Sequence, residues 1–225
     1  NWSMKHVHRL IVLSATYRMS STALHAAPET LNTDPENRWY WRGSAVRLEA
    51  QSVRDSLLAL SGELDLTVGG PTIPAGDESS RRRSLYYFHS HNEHQKFLSM
   101  FDDANVLECY RRADSIVPQQ ALALENSSLV QQAAEKTAVI LAAEAAQQSG
   151  LADAAGGLEF DRQFVRLGFR RILCCEATES ELQAGVDFLQ QMRTDAGGTD
   201  AAAADRAQAA LVVALLNHND FMTVR

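Results

Sequence analysis

The sequence predicts a mainly α fold, an irregular multi-helix domain with long ordered loops and at most one short strand pair. Three observations carry this. Six or seven segments place apolar residues at helical spacing and are bounded by capping residues. One stretch, 85–91, alternates in the manner of a strand. The connections between segments are long and punctuated by glycine and proline, unlike the regular short turns of a β-protein.

In chain order, residues 3–20 read as an amphipathic helix. Met4, Val7 and Ile11 form one stripe, Leu10, Leu13 and Tyr17 lie beside it, and Ser3 is placed to cap the start. Residues 21–38 carry Pro28, Asn32, Asp34, Pro35 and Asn37, which is loop and turn chemistry. Trp39, Tyr40 and Trp41 follow as a bulky anchor expected to pin that loop to a core. Residues 45–61 return to helical periodicity through Leu48, Val53, Leu57, Leu58 and Leu60, with Gly62 as the C-terminal cap. The Gly69-Gly70-Pro71 and Pro74-Ala75-Gly76 breaks make 66–80 an irregular connection. After the candidate strand, 93–101 reads as a short helix.

Pro118 suits the first turn of the next helix, because it has no backbone donor to waste there. Asn126 or Ser127 restarts a longer helix to Gln148, stopped by Gly150. Phe160, Phe164, Leu167 and Arg171 mark another, with Leu173 near its end. Thr178 followed by Glu181 is a capping box opening a helix through Met192. Asp200 caps an alanine-rich last helix ending near Leu216.

A chain of 225 residues with 45% apolar and 22% charged side chains has the composition of a globular protein able to bury a core without disulfides or metal. The reading is one mainly helical domain over 1–225, a fragment of a longer chain whose N-terminal part is missing. The net charge of −7 argues against a general nucleic-acid binder, which needs a cationic surface. No apolar run reaches the roughly 18 residues that span a bilayer. Cys109, Cys174 and Cys175 make no disulfide framework, and neither a haem-attachment motif nor a four-ligand zinc pattern is present.

Several segments line up, in order, with a known family. They are Trp2–Arg18 (WSMKHVHRLIVLSATYR), Asp34–Arg42 (DPENRWYWR), Arg47–Gly62 (RLEAQSVRDSLLALSG), Gly69–Pro71, Arg82–Tyr86 (RRSLY), Cys109–Arg112 (CYRR), Ser115–Leu124 (SIVPQQALAL) and Ala214–Phe221 (ALLNHNDF). The chain resembles the C-terminal domain, of unknown function, of large planctomycete-type proteins that often carry a cytochrome c region, a domain also called planctomycete-specific domain one. The resemblance implies an extracytoplasmic setting, an upstream companion domain and often a cytochrome c domain on the same polypeptide. It brings no catalytic residues. Such chains usually have a Gly- or Pro-containing turn before the capping box, where this one has Leu173-Cys174-Cys175-Glu176.

The densest functional chemistry lies in 81–127. Arg81, Arg82, Arg83, Arg111 and Arg112, with Tyr86, Tyr87 and Tyr110, could form an anion or sugar-acid clamp. Arginine grips carboxylate and sulfate in bidentate fashion, and tyrosine stacks on sugar faces. The competing reading is internal pairing with Glu108, Asp102, Asp103 and Asp114. As ligand-binding residues we single out Arg82, Tyr86, Tyr110, Arg111 and Arg112. His89, His91 and His94 form an H-x-H-x-x-H pattern whose first two members share one side of an extended strand and could reach a divalent metal; the alternative is a solvated strand end. Arginines 9, 18, 38, 42, 47 and 54 with Asp34, Glu49 and Asp55 suggest a buried ionic scaffold. Cys109 beside Arg111 and Arg112 could carry a lowered thiol pKa, or be a small buried residue like the expected packing pair Cys174 and Cys175.

The leading functional expectation is a non-catalytic binding or scaffolding module of an exported multidomain protein. It would hold the companion or cytochrome c domain, and an anionic polysaccharide, through the Arg81–Arg112 face. The alternatives are a metal-dependent hydrolase or lyase acting on polysaccharide, centred on His89 and His91, and an electron-transfer partner of the cytochrome c domain. An exposed apolar patch near the N-terminus is expected if a natural partner covers the first helix.

Overall fold

The computed structural model describes residues 2–24, 26–107, 118–149, 157–195 and 201–224. The fold is mainly α: among the described residues there are nine α-helices and one two-stranded antiparallel sheet. None of these helices is long and apolar enough to cross a membrane. The chain divides into two compact units, Asn1–Arg47 with Met222–Arg225, and Leu48–Phe221.

The N-terminal unit holds α1 (Met4–Leu13), α2 (Pro28–Thr33) and a sheet of β1 (Val46–Arg47) and β2 (Thr223–Val224), with Val46 opposite Val224. Ser3 caps α1 as expected, accepting from the His6 amide. The helix stops at Leu13, earlier than periodicity suggests. Ser14 donates back to the Ile11 carbonyl at 2.7 Å and accepts from the Tyr17 amide, so its hydroxyl competes with the backbone ladder. Pro28, read from sequence as a loop residue, instead starts α2 from the first turn, where its missing N–H is harmless.

The aromatic anchor is corrected. Trp39 and Tyr40 are 73% and 72% exposed. Two buried polar residues pin their loop instead. The Asp34 carboxylate accepts from the Arg38 and Trp39 amides, each at 2.8 Å, and its carbonyl accepts from Trp41 Nε1 at 2.9 Å. Asn37 bridges to Arg42, donating from Nδ2 to its carbonyl and accepting from its amide. Asn37 and Tyr40 both sit at positive φ, 58° and 55°. A side chain there is strained unless the surroundings over-determine it, which these hydrogen bonds do.

The second unit begins with α3 (Ala50–Leu60), shorter than expected because Val46 and Arg47 are drawn into the sheet. Its C-terminal cap is as predicted. Gly62 takes φ 72°, the Glu63 amide reaches the Leu58 carbonyl and the Gly62 amide that of Ala59. Residues 85–91 do not form a strand. The Ser84 amide and hydroxyl both donate to Asp55 Oδ1, at 2.8 and 2.6 Å, and Ser84–Tyr86 tightens into a 3-10 turn. Beyond it only Tyr87 forms an isolated bridge, to Ile73. The short helix α4 is confined to Lys96–Met100, with Gln95 Oε1 capping the Leu98 amide at 2.6 Å.

Helices α5 (Pro118–Asn126), α6 (Ser128–Ser149), α7 (Leu158–Gly168), α8 (Glu179–Asp195) and α9 (Ala201–Leu216) complete the unit. Helix α6 is central, packing against α3, α5, α7 and α9, while α8 closes on α7 and α9. Its buried residues, among them Val130, Ala134, Leu141 and Ala145, are small enough to admit neighbours on several sides. A Cβ at Gly185 of α8 would stand 2.8 Å from Val165 Cγ1, so only glycine allows α7 and α8 their spacing.

The helix predicted through Arg171 changes character at Gly168. Residues Phe169–Leu173 continue as a π-helix closed by Cys174 in the left-handed conformation at φ 55°. This cysteine does the work of a terminating glycine, and it leaves Cys174 and Cys175 exposed and not packed as expected. The capping box is present: the Thr178 amide donates to Glu181 Oε2 at 2.8 Å and the Glu181 amide to Thr178 Oγ1 at 3.3 Å. Asp200 lies outside the described residues.

Candidate functional site

The polar centre of the second unit is built on Arg54, which α3 carries into the interior between Val53 and Leu57. Its side chain is 1% exposed. The guanidinium lies 4.9 Å from the Tyr87 ring centroid. It donates to the Ser80 carbonyl at 2.5 Å, the Arg82 carbonyl at 3.0 Å and Ser84 Oγ at 3.2 Å. Asp55, 3.7 Å away, is its nearest carboxylate. Burial pulls the Arg54 pKa below its ordinary value, with Tyr87 and then Asp55 opposing the shift. Burial likewise raises the Tyr87 phenol, which donates to the Asp77 carbonyl at 2.7 Å. Arg54 therefore ties the irregular 77–84 segment to α3 by satisfying carbonyls that no sheet or helix serves.

The three arginines that follow Ser80 have different partners. Arg81 reaches Glu63 Oε1 at 3.4 Å, the Ser79 carbonyl at 2.9 Å and Gln132 Oε1 at 3.3 Å. Arg82 stacks on Tyr86, 4.0 Å from the ring centroid, and donates to the carbonyls of Pro71 and Gly69. The Tyr86 hydroxyl accepts from the Gly69 amide at 2.9 Å. The pair expected to grip a ligand thus clamps the 69–71 loop. Arg83 lies 3.8 Å from Asp55. Of the other expected ligand residues, Tyr110, Arg111 and Arg112 lie outside the described residues, as does Cys109. Of the expected ionic scaffold, Arg54 and Asp34 are buried; Arg38 pairs with Glu36 at the surface and Arg42 holds the Ser21 carbonyl.

His89 Nδ1 is 3.7 Å from Asp103 Oδ2, while Asp103 Oδ1 accepts from Gln51 and the Ala104 amide. His94 Nε2 is 3.1 Å from the His91 carbonyl. Among the described residues no group of three or more His, Cys, Asp or Glu side chains is placed to hold a metal ion.

Beside Arg54 a cleft of about 520 Å³ opens between 78–81, α4 and the α5–α6 junction. Arg81 and Lys96 stand on its walls, and Phe97, Met100 and Leu129 supply apolar surface. Sequence reasoning did not find it, because its walls come from segments up to 78 residues apart. The only local signal was the arginine run itself.

Glu63 holds Arg81 in place and is itself pulled below the usual carboxylate range, first by its hydrogen bond from Lys136 Nζ at 2.5 Å and then by Arg81. A carboxylate with a lowered folded pKa contributes stability that is present above its unfolded value and lost as pH falls through the folded one. Glu63→Gln is therefore expected to lower Tm at neutral pH, where the charged contact is intact, and to lose that deficit as pH falls below the ordinary glutamate pKa, which flattens the acid limb of Tm against pH. An unchanged acid limb would exclude the Glu63–Lys136 contact as its source.

Neither the curated proteins nor the solved structures contain a match to this chain. The family model PSD1, Protein of unknown function (DUF1553), matches residues 1–189, which include the Arg54 centre, the cleft and the Asp34–Arg42 loop. The segments that resembled planctomycete-specific domain one, except Ala214–Phe221, fall within those residues, and the chain belongs to the PSD1 family of proteins of unknown function.

Proposed function

We propose that the chain is a non-catalytic docking module, joining another folded domain of an exported polypeptide through its N-terminal unit. The supporting observation is how that unit distributes its apolar side chains. It holds less than a quarter of the residues, yet fourteen of the twenty-two exposed large apolar side chains among the described residues. Its buried residues are Asp34, Asn37 and Met222, so it has almost no apolar core of its own. A unit of this size stabilised mainly by hydrogen bonds gains most from burying apolar surface against a partner.

Helix α1 offers Met4, Val7, Leu10 and Ile11 with no residue buried, and this is the apolar patch expected near the N-terminus. Trp39 and Tyr40 project from a loop already ordered by Asp34 and Asn37. Aromatic anchors on a pre-ordered loop lose little entropy on association, which makes them effective at the centre of an interface. The companion domain implied by the resemblance is the partner of choice, and an extracytoplasmic location follows from the same resemblance. The histidine-centred hydrolase reading has no comparable observation behind it.

The test is association of this chain with a companion domain supplied as a separate polypeptide, measured by sedimentation. A Leu10→Glu, Ile11→Glu double variant is expected to weaken association at least tenfold while thermal unfolding of the helical unit is unchanged. Equal association of variant and parent would remove α1 from the interface. Absence of any association would remove the docking reading.

A further inference from the structure

The cleft beside Arg54 carries an assignment independent of the docking reading. Its lining includes Arg54, Arg81 and Lys96 against a single carboxylate, Glu78. Arg54 and Arg81 are already committed to protein acceptors, so they supply field more than open donors. The open donors are others. Gln95 is 4% exposed and its Oε1 is used on Leu98, but its Nε2 has no partner among the described residues. That nitrogen is not among the buried polar atoms left without a partner, so it keeps access to solvent and is free to donate. Lys96, also on the lining, has no carboxylate partner among the described residues. The first turn of the 22-residue helix α6, through Ser128 and Leu129, lines the same cleft. Among the described residues no side chain accepts from its first amides. A helix start of this kind favours negative charge.

We propose that this cleft binds a small organic oxyanion, a carboxylate or a phosphate or sulfate ester with a short apolar body. The anionic group lies between Gln95 Nε2, Lys96 Nζ and the first turn of α6, within the field of Arg54 and Arg81. The apolar body rests on Phe97 and Met100. The volume fits a ligand of about ten to fifteen heavy atoms and is too small for an extended polymer to be enclosed.

Calorimetric titration of the whole chain tests this, using phenyl phosphate, benzoate, inorganic phosphate and uncharged phenol as probes. At least one aromatic anion is expected to bind at least tenfold more tightly than both inorganic phosphate and phenol. Preference for benzoate identifies a carboxylate ligand, and preference for phenyl phosphate an ester. Lys96→Glu is expected to reduce that affinity at least tenfold, and Lys96→Gln severalfold. Arg206→Gln, on the exposed face of α9, changes net charge without touching the cleft and is expected to leave affinity unchanged. Lys96 is exposed and caps nothing, so its variants are expected to unfold at the parent temperature; should Lys96→Glu not fold, Lys96→Gln decides. No binding of either aromatic anion at millimolar concentration overturns the assignment, as does equal loss in Arg206→Gln or binding indifferent to both Lys96 changes.

Discussion

Replacing Arg193 by methionine is expected to destabilise the helical unit by about 3–5 kcal/mol, the usual consequence of stranding one member of a buried ion pair. Arg193, in the last turn of α8, forms a two-pronged contact with Asp161 in the first turn of α7. One prong, Nη1 to Oδ1, measures 3.0 Å. Asp161 is wholly buried and Arg193 nearly so. Each charge also complements the dipole of its own helix. Removing the guanidinium leaves a carboxylate with no water to solvate it. The decisive comparison is Asp161→Leu, Arg193→Met, which removes both charges and is expected to return to within about 1 kcal/mol of the parent, since apolar replacements of buried pairs are often neutral. Urea midpoints at constant slope measure both. A single-variant loss below about 1 kcal/mol would show that the site relaxes enough to admit water.

Arg54→Met is expected to destabilise by about 2–4 kcal/mol, a smaller figure because the desolvation of a charge without a close carboxylate is relieved at the same time. What is lost is the support for the Ser80 and Arg82 carbonyls, which become part-buried acceptors without that donor. The ties that remain between the 77–84 segment and α3 are Ser84 and Arg83 on Asp55. Arg54→Lys keeps the charge but not the planar fork, and is expected to recover less than half of the loss. Denaturant midpoints test the ranking, and a lysine variant as stable as the parent would show that charge on Tyr87 matters more than the carbonyls. Because the same segment forms a wall of the cleft, Arg54→Met is also expected to abolish binding of the aromatic anions before it unfolds the unit.

The two predictions concern interactions that differ in how far the chain announces them. Arg54 is visible in the sequence as one arginine among several in a helix, and a structural role is a natural reading. Its acceptors, 26 and 28 residues away, are backbone atoms and leave no trace in side-chain identity. Asp161 and Arg193, 32 residues apart, sit among ordinary surface-type residues, and nothing local distinguishes them from solvated charges.

The sequence by itself determined the mainly helical class, most of the long helices, the Gly62 stop, the Ser3 cap, the Thr178–Glu181 box and the family. All of these depend on contacts within a few residues or on the identity of whole segments, so hydrophobic period and capping chemistry suffice. Tertiary structure alone decided that 85–91 turns where alternation suggests a strand, because Asp55 captures Ser84. It also decided that Val46 and Arg47 leave the helix to pair with the chain's last residues, that Arg82 and Tyr86 clamp a loop, and that Trp39 and Tyr40 face solvent. In the first three cases a partner distant in sequence outcompeted the local preference, and only packing brings such a partner within hydrogen-bonding distance; Trp39 and Tyr40 face solvent because Asp34 and Asn37 already hold their loop.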